Sequence, residues 1–278
     1  MAARRHAVTA VRRSVARPVR AGLRRFGYDI VRRAGTSGSG TGTRAAFPPD
    51  FDADTIALIE TVQPYTLTGP ERIAALCDAT RYVVTGGVPG AIVECGVWRG
   101  GSMMAVALTL LECGHTDREL YLFDTFGWVP RPSERDVGID GRSALEEWER
   151  YDRDGLAAVD PHYHYWPLED VRRILVATGY PEDHLHFVRG DVLDTVPEHA
   201  PEEIALLRLD TDYYESTAHE LRHLEPRVSD RGVVLIDDYG HFSGARDAVD
   251  EHYAARGEPV LLQRIDYTAR LVLVRRTR

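Results

Sequence analysis

The sequence predicts an α/β fold: a doubly wound, mostly parallel sheet with helices on both faces. Short, continuously apolar segments such as "AIVEC", "IALLRLD" and "GVVLID" alternate along the chain with longer segments whose apolar residues recur at helical spacing. Continuous apolarity, as opposed to strict alternation, marks strands buried on both faces, which calls for a parallel sheet. With 44% apolar residues in 278, the chain can also fill a sizeable core.

The elements follow in order. "PERIAALCDATRYVV" reads as a helix with Pro70 in its first turn. "AIVEC" is a strand ending at Gly96, and "GSMMAVALTLLECG" a helix closed by Gly114. "ELYLFD" is the next strand. Residues 125–167 are irregular and rich in Pro, Arg, Trp and acids, too long for an ordinary connection; they suggest a substrate loop with some helix inside it. Then come a helix ("DVRRILVATGY"), a strand ("HLHFVRGD"), a strand ("IALLRLD") and a helix ("YESTAHELRHLEPRV"). A strand ("GVVLID"), a helix ("GARDAVDEHYAARG") and a last strand ("ARLVLVRR") complete the chain.

Charge divides the sequence. Residues 1–43 hold ten arginines and one acid, Asp29, whereas the remainder holds 24 arginines and 42 acids; there is no lysine. Residues 1–45 read as a basic arm with a Gly/Ser/Thr linker that cannot bury apolar area, and residues 46–278 as the globular domain. The arm reads most simply as a partly ordered, solvated extension; it could also touch an anionic membrane surface or a neighbouring subunit. An acidic body argues against nucleic acid as partner. No apolar run approaches the roughly 18 residues of a membrane span, so no transmembrane segment is expected. The twin arginines lack an apolar stretch behind them, which argues against a secretory signal. Cys77, Cys95 and Cys113 have no C-x-x-C spacing and fit buried thiols in a reducing cytoplasm.

Ligands of parallel sheets bind at the carboxyl ends of the strands, near the topological switch point. The unusual residues all fall there: Glu94 and Gly96, Asp124, Asp191, Asp210 with Asp212, and Asp237 with Asp238. "VECGVWRGGS" is a strand, a glycine turn and a helix start, but not G-x-G-x-x-G. An acid directly before such a turn repels a pyrophosphate and suits an ammonium group. S-adenosylmethionine has that polarity. Asp124 suits the ribose hydroxyls of an adenosine, and Asp191 an adenine edge, although a solvated strand-end Asp explains either equally simply.

Asp237 lies 27 residues beyond Asp210, enough for one helix and a return strand, so the two end side by side. Oxygen-only ligands suit a hard divalent cation, Mg²⁺ above all. Asp212 would project nearby and could take a proton from a hydroxyl. Helix capping is the plain alternative, and it explains one acid in each pair. His241 reads as a neighbour of that centre or as a surface residue.

"PYTLTGPERIAAL", "VECGVWRGGSM", "LYLFDTF", "IALLRLDTDYYESTAHELRHLEPRVS" and "GVVLIDDYGHFSGARDAVDEHY" closely resemble the macrocin O-methyltransferase family, whose members methylate sugar hydroxyls on macrolide and aminocoumarin antibiotics. The resemblance spans roughly residues 60–275. It implies a Rossmann-like class I methyltransferase fold, an S-adenosylmethionine donor and an Mg²⁺ requirement. By motif position Asp210, Asp237 and Asp238 resemble the metal ligands and Asp212 the general base. Glu94, Gly96, Arg99, Gly100, Gly101 and Ser102 resemble the methionine-binding turn; Asp124, Thr125 and Phe126 resemble the ribose-binding segment. Tyr65, Thr66 and Thr68 resemble a cover over the cofactor. The resemblance also implies a glycosylated small-molecule acceptor and a homo-oligomer, dimer or tetramer.

Where the family often has Glu-Gly-Met/Leu-Pro after "LFDTF", this chain has Gly127, Trp128, Val129 and Pro130. Trp128, Tyr163, Tyr165 and Trp166 offer flat surfaces for a sugar or aglycone, and core packing accounts for any one of them equally well. Two rivals are distinguishable. An Asp-x-Asp after a strand also serves glycosyltransferases, but the acid before the glycine turn disfavours a sugar-nucleotide diphosphate. A binding module without catalysis would lose no turnover on Asp210→Asn.

Overall fold

The structure is a computed structural model describing residues 47–154, 166–257 and 259–276. The predicted basic arm, Tyr163 and Tyr165 lie outside the described residues. Residues 50–278 form one compact unit.

Helix α1 (Ala53–Val62) opens the body, its first turn capped by Asp52, which accepts from the Thr55 amide at 2.7 Å. A single 3₁₀ turn (Gln63–Tyr65) leads to α2 (Pro70–Thr85), with Gly69 as N-cap and Pro70 in the position where a missing N–H costs nothing. Strand β1 (Ala91–Cys95) is followed by α3 (Gly101–Glu112), β2 (Leu120–Asp124), α4 (Ala144–Asp154) and α5 (Leu168–Val176). Then come β3 (Leu185–Arg189), the one-turn α6 (Val192–Thr195), β4 (Ile204–Leu209) and α7 (Tyr214–Leu224). Strand β5 (Val228–Ile236), α8 (Ser243–Ala255), β6 (Gln263–Arg264) and β7 (Arg270–Leu273) complete the body.

The seven strands lie in the order β3-β2-β1-β4-β5-β7-β6. β1 to β5 are parallel, and β7 runs antiparallel to both β5 and β6. Every residue of β1 and β4 is buried, the signature of strands covered on both faces. Val93, Cys95, Leu207, Leu209, Val234 and Ile236 share one such core with Leu221 and Val249 of the covering helices. Each such side chain contributes roughly 1.5–3 kcal/mol on burial.

The predicted elements are present. Helices α1 and α6 and the two-residue β6 were not predicted, and α4 supplies the helix expected inside residues 125–167. The last four predicted strand–helix alternations hold, with β5 starting earlier, at Val228, than the apolar run that signalled it. No helix among the described residues is long and apolar enough to cross a membrane.

The order of the strands positions the site. From β1 the chain winds outward through β2 to β3, then crosses to β4 on the other side of β1. The switch point therefore lies between the tips of β1 and β4, where the glycine turn and the first acid pair emerge. Ladder bonds continue past the strand ends: Gly96 N donates to Phe123 O, Asp210 N to Cys95 O and Asp237 N to Leu209 O, each at 2.9 Å.

Candidate active site

The glycine turn is shaped by close approach. Gly96 has φ +82°, and a Cβ there would overlap the backbone of Asp210; at Gly101 it would overlap Tyr65 and Thr66. The turn is fastened by Asp124 at the tip of β2. Its Oδ2 accepts from the amides of Val97 (2.7 Å) and Trp98 (3.0 Å), and its Oδ1 from Phe126 (2.7 Å). Burial raises the Asp124 carboxyl against the pull of those amides. Three amides thus fix the Asp124 carboxylate at the tip of β2.

Arg99 leaves the same turn outward. It donates to Pro64 O at 2.9 Å, lies 4.0 Å over the Trp166 ring and 5.1 Å from that of Tyr65. This joins the turn to the segment that carries Thr66 and Thr68. Both threonines are buried, as is Ser102 at the start of α3; Thr68 N donates to Thr66 Oγ1 at 3.0 Å. Thr125 and Phe126 are buried at the β2 tip, where Thr125 Oγ1 donates to Trp128 O. Trp128 itself is 49% exposed. Trp166, by contrast, is held between Arg99 and the edge of Trp98. Asp191 stands at the tip of β3 and caps α6, accepting from Leu193 N at 3.0 Å.

Glu94 has a partner within the protein that the sequence did not signal. It is 0% exposed, and its Oε1 accepts from Arg208 at 2.6 Å. Its second oxygen, Oε2, is buried without a hydrogen-bond partner. Burial pushes the carboxyl up to about 8.

The predicted metal acids do converge. Oxygens of Asp210, Asp237 and Asp238 lie within 4.8 Å of one another. Two guanidinium groups that the sequence reading did not pick out stand among them. Arg208 reaches Asp210 Oδ2 at 2.7 Å, Thr68 Oγ1 at 3.0 Å and Asp237 Oδ2. Arg72, in the first turn of α2, contacts Asp237 Oδ1 and lies 3.2 Å from Asp266. Arg208 left a signal: a charge inside a buried strand, on the same face as Asp210 two residues on. Arg72 left none.

Asp212 follows the strand with φ +69°, a conformation Asp tolerates better than most residues. Burial, with Asp210, Asp237 and Asp136 nearby, raises it to about 8; burial and the neighbouring charges raise Asp210 to about 6 and Asp238 well above the carboxylate range. Asp238 Oδ2 is buried without a hydrogen-bond partner. Four carboxylates, Glu94, Asp210, Asp237 and Asp266, meet the two guanidiniums, and with the orphaned Asp238 oxygen beside them the oxygen-only set fits a hard divalent cation. Helix capping does not account for these acids: the N-caps of α7 and α8 are Tyr213 and Phe242. Tyr214 N is capped instead by Asp136, 0% exposed, at 2.8 Å. His241 Nδ1 lies 3.1 Å from the Tyr267 hydroxyl, beside the centre.

This sheet order, with a glycine turn after the first strand and acids after the fourth and fifth, defines a Rossmann-like class I methyltransferase. The chain belongs to the macrocin O-methyltransferase family, whose profile, Macrocin-O-methyltransferase (TylF), matches residues 50–275. It is therefore an O-methyltransferase that uses S-adenosylmethionine, and the glycosyltransferase and non-catalytic readings fall. It is 35% identical over 204 residues, 73% of each chain, to the 8-demethyl-8-(2,3-dimethoxy-alpha-L-rhamnosyl)-tetracenomycin-C 4'-O-methyltransferase of Streptomyces olivaceus. It is 30% identical over 240 residues to the Mycinamicin III 3''-O-methyltransferase of Micromonospora griseorubida, covering 84% of this chain and 87% of that one. Among solved structures, the O-methyltransferase NovP superposes with a TM-score of 0.65 at 31% identity, over 76% of this chain and 83% of its own.

Proposed function

We propose that the protein methylates a hydroxyl on a sugar of a glycosylated natural product, with Mg²⁺ held by Asp210, Asp237 and Asp238. The observation that carries this reading is the convergence of those three carboxylates at the adjoining tips of β4 and β5, next to the glycine turn. Of the relatives named above, one acts on a rhamnosyl tetracenomycin and another on mycinamicin III; the rhamnosyl group supports a sugar as the acceptor class here.

The chain's residues divide the work. Gly96, Gly100 and Gly101 let the backbone approach the methionine part of the donor, Ser102 offers a hydroxyl at the start of α3, and Thr66 and Thr68 close over it. Asp124 holds the turn and serves the ribose hydroxyls, with Asp191 toward the adenine. Asp212 accepts the proton of the acceptor hydroxyl as the new C–O bond forms and the S–CH₃ bond breaks, leaving S-adenosylhomocysteine. A bound cation supplies positive field that favours the ionised hydroxyl and lowers the Asp212 carboxyl into the range where it can act as base. Alignment of donor and hydroxyl supplies much of the remaining rate. Trp128, half exposed at the rim, offers an aromatic face to the sugar or aglycone.

The reading extends to the whole protein: a cytoplasmic homo-oligomer, dimer or tetramer, with residues 1–45 as an arm apart from the catalytic domain at 46–278. Buried, unpaired Cys77 and Cys95 support the reducing compartment. The test is mass spectrometry of glycosylated natural products incubated with enzyme, Mg²⁺ and methyl-labelled donor. A gain of one labelled methyl on the sugar, abolished by chelator and restored by Mg²⁺, is expected. Transfer to an aglycone hydroxyl, or transfer indifferent to chelator, overturns the corresponding half of the proposal.

A further inference from the structure

The guanidinium of Arg208 bridges residues at the ends of three neighbouring strands, β1, β4 and β5. Arg208 pairs in register with Glu94 on β1, and its side chain shares a face with Asp210 on β4. One nitrogen donates to Glu94 Oε1 (2.6 Å) and Asp210 Oδ2 (2.7 Å); the other donates to Thr68 Oγ1 (3.0 Å) and Asp237 Oδ2. The residue is 4% exposed and Glu94 0%. A planar fork can satisfy acceptors on several strands at fixed angles, which a lysine ammonium on a flexible stem does not reproduce.

We propose that Arg208 is the positioning residue of the metal centre: locked from below by Glu94, it holds Asp210 and Asp237 at their spacing and so sets the affinity for the divalent cation. This rests on the metal reading given above. The fork also reaches Thr68 in the segment over the donor, so one side chain ties the cofactor cover, the base of the glycine turn and both acid-bearing strands. Removing it takes from Glu94, Asp210 and Asp237 the fork that spans them, and buried carboxylates that lose a shared donor move apart. Loss of the positive charge by itself would strengthen cation binding. A weakened cation site in the variants therefore reports lost positioning and not lost charge.

The test is calorimetric titration of Mg²⁺ into the full-length protein saturated with S-adenosylhomocysteine, for wild type, Arg208→Lys, Arg208→Met and Glu94→Gln. Thermal melting in chelator accompanies each as a check on folding. Arg208→Lys, which keeps the charge and loses the fork, should weaken Mg²⁺ at least tenfold. Glu94→Gln, which frees the fork from below, should weaken it severalfold, and Arg208→Met at least as much as Arg208→Lys wherever it folds. A role in folding alone would lower the melting temperature and leave the Mg²⁺ affinity of the folded protein unchanged. Folded Arg208→Lys and Glu94→Gln proteins that bind Mg²⁺ within twofold of wild type overturn the inference alone. A wild-type protein that takes up no cation overturns it together with the reading beneath it.

Discussion

Gly96 and Asp210 are so close that the missing Cβ of the first is a condition for the position of the second. Gly96 sits at φ +82°, and a Cβ there would overlap the Asp210 carbonyl, whose own amide bonds back to Cys95 at 2.9 Å. The glycine turn and the first of the three converging acids thus share one steric constraint. Gly96→Ala forces both strain at positive φ and a backbone displacement. It should weaken S-adenosylhomocysteine at least tenfold and Mg²⁺ with it, measured by calorimetry. Retention of either affinity at the wild-type level would show the two sites to be mechanically separate.

Asp212→Asn isolates the proton-transfer role. Asn also tolerates positive φ, so the backbone at φ +69° survives the change, and the side chain keeps its size. The expected result is a fall in kcat of about 10²–10⁴-fold, the usual contribution of a positioned base. Affinity for S-adenosylhomocysteine should stay within about twofold. A variant retaining more than a tenth of wild-type kcat would assign the proton to another group.

How much of this was legible in the sequence depends on the range of the interaction. Continuous apolar strands, helical spacing and turn glycines are local, and they located the five parallel strands and the acids at their tips. The spacing of Asp210 and Asp237 was readable because one helix and one return strand fit between them. What was not readable is what crosses between distant segments. Arg72 reaches Asp237 from 165 residues away. The strand-end position of Glu94 is local information, whereas its contact with Arg208 comes from the neighbouring strand, 114 residues away. Asp136, in a stretch with no periodicity, caps a helix 78 residues further on.

That cap carries a prediction of its own. Asp136 Oδ1 accepts from Tyr214 N at 2.8 Å, while Oδ2 accepts from both the amide and hydroxyl of Ser133 at 2.7 Å. It fastens the segment after β2 to the helix that follows Asp212. Asp136→Ala orphans three donors beside that helix terminus and should cost about 3 kcal/mol in denaturant unfolding. Since the same segment carries half-exposed Trp128, acceptor KM should rise more than donor KM. Equal effects on both would place the loop outside acceptor binding.

A final prediction concerns acid stability away from the site. Glu225, 2% exposed, meets Arg256 at 2.6 Å and Arg276 at 3.4 Å, with His252 Nε2 at 3.6 Å. Burial pushes its carboxyl up, but His252, Arg276 and Arg256 together outweigh burial and hold it below its ordinary 4.5. A folded-state value below the unfolded one means the unfolded chain binds the proton more readily. The stabilisation is therefore full above about 4.5 and is lost as pH falls through the depressed folded value. Breaking this buried cluster with Glu225→Gln should cost about 3 kcal/mol at neutral pH, lowering Tm by roughly 8 °C. The gap between wild type and variant should close only below pH 4.5, in melts recorded from pH 7 downward. A gap that stayed constant through that range would mean the carboxylate's charge contributes nothing, and that its hydrogen-bonding shape alone holds β5, α8 and the C-terminal strand together.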